Sequence, residues 1–121
     1  MPFRLVGVAD DQIDKILQGS EANWGLEGAY RYGRLILAAM TAIGESPALP
    51  GSRPVTLVRG VRSLHHYSAR RFVAPEHRVG QPRHLVLYRI APEGAVEILG
   101  VVHYRQQLPR AARRAQREAG G

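Results

Sequence analysis

Cysteine is absent from the 121 residues, which removes disulfides, thiol nucleophiles and thiolate metal sites together. Lysine is almost absent too: apart from Lys15, every basic residue is arginine. Long hydrophobic runs are missing. The longest, Leu35 to Met40, is far short of the roughly 20 residues that cross a membrane. Asp10 and Asp11 interrupt the apolar N-terminus before it could act as a signal peptide, so a cytoplasmic location is expected. What is present is 45% hydrophobic against 22% charged residues, a balance that supports a core and excludes a disordered chain. The length fits one domain, 1–121, with no room for a second lobe.

Charge is distributed unevenly. The net charge is +7; residues 1–45 carry four basic and six acidic groups and sum to −2. Residues 46–121 carry thirteen basic and four acidic groups and sum to +9. That polarity points to an anionic partner for the second half, either nucleic acid or an acidic protein segment. The plainer reading is a solvated surface coloured by arginine-favouring codon usage.

Periodicity predicts a strand over 2–8, then a helix with Asp10 at its N-cap and Ile13, Ile16 and Leu17 at helical spacing. Trp24-Gly25 marks a break. Leu26, Ala29, Tyr30, Gly33, Leu37, Met40 and Ile43 then recur at steps of three and four, and Gly44 and Pro47 stop this second helix. The short interval makes an antiparallel helical hairpin. Residues 46–54 are breaker-rich and predict a loop. The stretch 55–67 is β-prone around Gly60, and 68–83 is a basic loop. Residues 84–90 and 95–103 form the clearest strand pair, joined by a turn at Ala91-Pro92-Glu93-Gly94. A basic tail, 106–121, follows, in which Pro109 can open a short helix. The expected class is α+β: an N-terminal strand, a helical hairpin, a mainly antiparallel sheet of three to four strands, and a C-terminal helix or tail.

Ser20-Glu-Ala-Asn-Trp-Gly25 at the helical joint, Ala29-Tyr-Arg-Tyr32 with Ile43-Gly-Glu-Ser-Pro47, Arg62-Ser63, Pro82-Arg-His-Leu-Val-Leu-Tyr-Arg-Ile90 and Val101-Val-His-Tyr-Arg105 occur in one order. Together they resemble the RelE/ParE superfamily of toxins from type II toxin–antitoxin operons, closer to the ParE branch, over roughly residues 3–110. The resemblance implies growth inhibition and plasmid stabilisation, with silencing by a cognate ribbon–helix–helix antitoxin of the ParD type. It also implies DNA gyrase as the target, as for ParE-type members, or ribosome-bound messenger RNA, as for RelE-type nucleases. Two features depart from the family pattern: 68–83 is longer than the usual connection, and Gln107 stands where the branch often keeps an acid.

A metal-free ribonuclease needs a base, an acid and cations around the phosphate. By resemblance to a nuclease subgroup that ends in His-Tyr, that set here is Arg62, His103 and Tyr104, with Arg59 and Arg105 as further cations. Neighbouring strand residues face opposite sides, so His103 and Tyr104 share a pocket only where the strand bends. No acid lies between Glu45 and Glu76 to serve as a base. His65 and His66 should diverge, and His77 and His84 have only Glu76 near them, so no metal and no cofactor is expected. In the tail, Arg110, Arg113, Arg114 and Arg117 fall at i, i+3, i+4 and i+7. This stripe suits anionic contacts; the alternative is a fraying end. By resemblance, Arg105, Arg110, Arg113 and Arg114 face the target.

Trp24, Tyr30 and Tyr32 are candidates for core packing or for a groove that receives the antitoxin's apolar side chains. Arg70, Arg71, Arg78 and Arg83 would meet its acidic residues, and Phe72 and Val73 anchor the loop or the partner. Three functions follow: a gyrase-binding toxin without catalysis, a ribosome-dependent messenger RNA endonuclease, and a non-toxic basic binding module.

Overall fold

The computed structural model describes residues 3–75 and 78–120. Its centre is a five-stranded sheet in the order β1-β5-β4-β3-β2. The strands are β1 (Phe3–Leu5), β2 (Arg53–Pro54), β3 (Arg62–His65), β4 (His84–Ile90) and β5 (Val96–His103). All neighbours are antiparallel except β1, which lies parallel to β5 with Phe3 opposite Val96. The sheet therefore has one strand more than the sequence predicts. Two-residue β2 sits inside the expected loop and is held by pairing with β3, a tertiary contact with no local periodicity to announce it.

Helix α1 (Ala9–Glu45) folds back on itself. Its one non-helical residue is Gly25, at φ 79° and ψ −179°, a conformation that a side chain would strain. Leu17 consequently lies within van der Waals reach of Gly33, although sixteen residues of straight helix would separate them by about 24 Å. The predicted hairpin is present, with its first arm running to Trp24. The helix starts at Ala9 rather than after an Asp10 cap; Val8 is the N-cap and makes no side-chain bond there. Burial of Ala9 against the sheet sets this start, which leaves Asp10 and Asp11 in the first turn, where the helix dipole favours them. The second arm runs through Gly44 and ends before Pro47.

Alternation along β4 divides the core in two. Val86 and Tyr88 pack under the hairpin with Leu35, Ile36, Ala39 and Ile43. Leu85 and Leu87 face the other way, with Leu99, Val102 and the valines at 55, 58 and 61. Helix α3 (Leu108–Glu118) covers that second face through Ala112 and Ala115. The tail is thus a packed helix, with Pro109 in its first turn.

Between β3 and β4 the chain makes a helical turn, α2 (His66–Ala69), and a 3₁₀ turn over Arg70–Phe72. The β-prone reading of 55–67 shrinks to the four residues of β3, because Val55, Val58 and Val61 are spent on the turn that precedes it. At the middle of β5 a bulge places Leu87 opposite Gly100 and Tyr88 opposite Ile98. There the Gln12 side chain accepts the Val101 amide at 2.9 Å. A Cβ on Gly100 would stand 2.7 Å from that Gln12 oxygen, so the missing side chain leaves room for this bond.

Candidate functional site

The C-terminal end of β5, the N-terminal end of β4 and the C-terminal end of β3 meet beneath the hairpin. Four histidines and two tyrosines converge there. The Tyr32 hydroxyl, on the hairpin, lies 2.5 Å from His84 Nδ1 and accepts the Arg83 amide at 3.2 Å. His84 stands edge-on to His103, with ring centroids 5.4 Å apart, and His103 stacks on Tyr104 at 4.9 Å. His66 fills the space between Tyr32 and His84, at 5.8 and 6.3 Å, and His65 meets Tyr104 at 6.0 Å.

Burial governs their charge. His66 is 0% exposed and neither ring nitrogen has a partner. Desolvation, then the neighbouring His84 and His65, drive its pKa down to about 3. Desolvation first, then His103 and His65, lower His84 to about 4. The Tyr32 hydroxyl accepts the Arg83 amide and has its own proton to give, which His84 Nδ1 accepts in its Nε2–H tautomer. Burial also pushes the Tyr32 hydroxyl upward. His66 and His84 are neutral at pH 7, and among the described residues no three acidic or histidine side chains are arranged to hold a metal. The Glu76–His77 pair considered for metal binding lies outside the described residues.

His103 and Tyr104 do come together. The strand ends at His103 and a turn swings the Tyr104 ring alongside it, overcoming the alternation that would separate them. Arg105 joins this pair: its amide donates to His103 Nδ1 at 3.1 Å and its Nε to the Tyr104 hydroxyl at 3.2 Å. Arg62 lies elsewhere. It pairs across the sheet with Tyr88, and Tyr88 with Ile98, which leaves His103 five strand residues away, about 16 Å. Arg62 instead donates to Ser52 Oγ at 2.8 Å, in a network where the buried Tyr88 hydroxyl meets Ser52 Oγ and the Pro47 carbonyl. Arg62→Ala should therefore lower stability by about 1 kcal/mol, measured by urea unfolding. An unchanged unfolding midpoint would show that the Ser52 network does not depend on Arg62.

Trp24 and Tyr30 are not core residues: they are 78% and 60% exposed. They occupy different sides of the hairpin. Trp24 lines a groove of about 1120 Å³ between the hairpin and residues 78–84, together with Lys15, Arg31, Arg78, Arg83 and His84. Tyr30 lines a second groove with Asp14, Leu17, Glu21 and Leu26. The first is cationic and the second apolar with acidic edges. Arg70 and Arg71 are engaged locally, Arg70 over the Tyr67 ring at 4.8 Å and Arg71 on the Ser68 and Pro50 carbonyls at 2.7 and 3.1 Å. Phe72 is exposed under the Arg71 guanidinium, whereas Val73 is buried. Arg110, Arg113 and Arg114 are exposed on α3, and Arg114 pairs with Glu118 at 3.1 Å.

Residues 5–108 match the family model of the ParE toxin of the type II toxin–antitoxin system, parDE. The chain belongs to the ParE toxin family. No curated protein matches it. The protein is therefore the toxin component of a type II toxin–antitoxin system, and membership implies a cognate antitoxin bound to it in a complex. The match runs from the last residue of β1 through the hairpin and the other four strands and stops at Leu108, the first residue of α3, so Arg110, Arg113 and Arg114 lie beyond it. Among the described residues no helix is long and apolar enough to cross a membrane. The histidine cluster was the feature least visible in the sequence, because its members come from four separate elements; only His103-Tyr104 carried a local signal.

Proposed function

We propose that the toxin binds DNA gyrase in the cytoplasm and arrests it without covalent chemistry. In this reading a ParD-type ribbon–helix–helix antitoxin neutralises it. The observation that carries the proposal is the ParE family match along 104 residues of the chain, from 5 to 108. The groove beside Trp24 supports the antitoxin arm: Lys15, Arg31, Arg78 and Arg83 outnumber its one acid, Glu27, which pairs with Arg31, beside an exposed indole, the chemistry that receives an acidic segment with apolar anchors. Arg105 and the α3 arginines supply the target-facing surface.

A second reading, ribosome-dependent messenger RNA cleavage, is favoured by one observation, the stacked His103–Tyr104 pair with Arg105 bonded to both. In that reading the His103 ring moves the proton and Arg105 stabilises the phosphate. Pulse labelling of DNA and protein synthesis after tightly induced expression separates the two. The gyrase reading expects DNA synthesis to fail first, with a DNA-damage response. Protein synthesis failing first, and restored by His103→Ala, would replace it with the nuclease.

A further inference from the structure

The turn between β2 and β3 is built to present one leucine. Among the described residues Leu57 is the only one with a side chain at positive φ, 66°, a left-handed conformation that leucine disfavours. It is 80% exposed, while its neighbours Val55 and Val58 are buried at 3% and 6%. The turn is held by its own bonds: the Val55 amide donates to the Val61 carbonyl at 2.9 Å, and the Val58 amide to the Val55 carbonyl at 3.1 Å. From α3, Arg113 donates to the Leu57 carbonyl at 3.3 Å. The leucine is thus fixed in the open by a buried base and a strut, a conformation that burial of its own side chain does not explain.

The charge around it has one sign. Residues 46–75 contain five arginines and no acid. On the turn and α3, Arg53, Arg59, Arg110, Arg113 and Arg117 pair with no carboxylate among the described residues. The only acid in α3 is Glu118, bonded to Arg114. An exposed apolar tip with Arg59 two residues along the turn and Arg113 bonded to its carbonyl matches the chemistry of a nucleic-acid duplex, where phosphates take the arginines and a base step accepts an apolar wedge.

We propose that the β2–β3 turn and α3 form a contact surface for duplex DNA. Leu57 enters the minor groove as a wedge, and Arg59 and Arg113 sit on the flanking phosphates. The inference goes beyond gyrase binding and shares with that reading the exposed arginines of α3, while Leu57 and Arg59 belong to it alone. Duplex binding needs no gyrase in the assay, so the two can fail separately.

The test uses the purified toxin and a fluorescent duplex of about 20 base pairs, with affinity followed across about 50–200 mM salt. Arg59→Ala and Arg113→Ala should each flatten the log–log salt slope by about one unit. Arg34→Ala, an arginine of the hairpin, should leave it unchanged. Leu57→Gly relieves the left-handed backbone, so it should melt no lower than the parent protein. It should keep the salt slope, bind roughly tenfold more weakly and lose the duplex bend, read by energy transfer between end labels. Three results would overturn the proposal. One is a Leu57→Gly variant that binds and bends DNA like the parent. Another is equal loss from Arg34→Ala and Arg59→Ala, which marks diffuse attraction. The third is a glutamate-rich peptide that outcompetes the duplex in a Leu57-dependent manner, which assigns the surface to an acidic protein.

Discussion

Between about pH 6.5 and pH 5 the toxin is expected to lose roughly 1.5 kcal/mol of stability through His66, and His84 adds a further loss over the same window. The folded protein holds this ring neutral, with its pKa pushed down to about 3, whereas the unfolded chain binds a proton near pH 6.5. Protons therefore favour the unfolded state. The stability is complete above about pH 6.5 and drains away as the pH falls toward the folded value. His84 and His65 shift in the same direction, chiefly through desolvation, and add to the loss. Glu97 is held below the usual carboxylate range by Arg89 and then Arg4, and Glu93 by its own backbone amide and then Arg4, so their losses come at lower pH. His66→Phe keeps an aromatic ring against Tyr32 and removes two unpaired buried nitrogens. That variant should be as stable as the parent at pH 7 and lose the His66 share of the acid dependence, leaving that of His84. Urea unfolding at stepped pH measures both proteins. A parent curve flat from pH 7 to 5, or an undiminished slope in His66→Phe, would refute the assignment.

Reversing charge at Arg105, Arg110 and Arg113 together should reduce killing at least tenfold and change antitoxin affinity little. Like charges set against a complementary surface cost several kcal/mol, enough to empty a target complex of ordinary affinity. The substitutions leave the anchor of α3, Ala112 and Ala115, in place and remove only the exposed bonds of Arg113 to the Leu57 carbonyl and of Arg105 to the Tyr104 hydroxyl. The groove beside Trp24 that we propose for the antitoxin is lined by other residues, which is why the two binding events should separate. Colony counts after induction and calorimetric titration with the antitoxin give the two readouts. Full toxicity in a folded triple variant would remove α3 from the target surface.

Legibility in the sequence followed the range of the interactions. The turn at Ala91–Gly94 was readable because Gly94 supplies the φ of 95° that closes it, and the flanking strands carry their own apolar pattern. The hairpin break was readable because glycine alone tolerates the Gly25 geometry. The exposure of Trp24 and Tyr30 was not: helical spacing shows which residues share a face, and it does not say which face a neighbour covers. Leu26, Tyr30 and Leu37 form such a stripe and are exposed, while Tyr32, Leu35, Ile36 and Ala39 took the core. The alanines of the tail gave no hint that Val55, Val58 and Val61 would rise to meet them.

By itself the sequence determined the α+β class, the hairpin, the β4–β5 pair, the charge asymmetry and the family, since each is written in local propensity, spacing or composition. Tertiary structure alone decided the parallel β1, the two-residue β2, the Leu57 turn and the assembly of His65, His66, His84 and His103 around Tyr32. The parallel β1 and the histidine assembly depend on contacts between residues tens of positions apart, and the short β2–β3 pairing and its turn are held in place by β4 and α3 beyond them. Their energies come from burial and pairing in the folded chain, and no local stretch of sequence carries them.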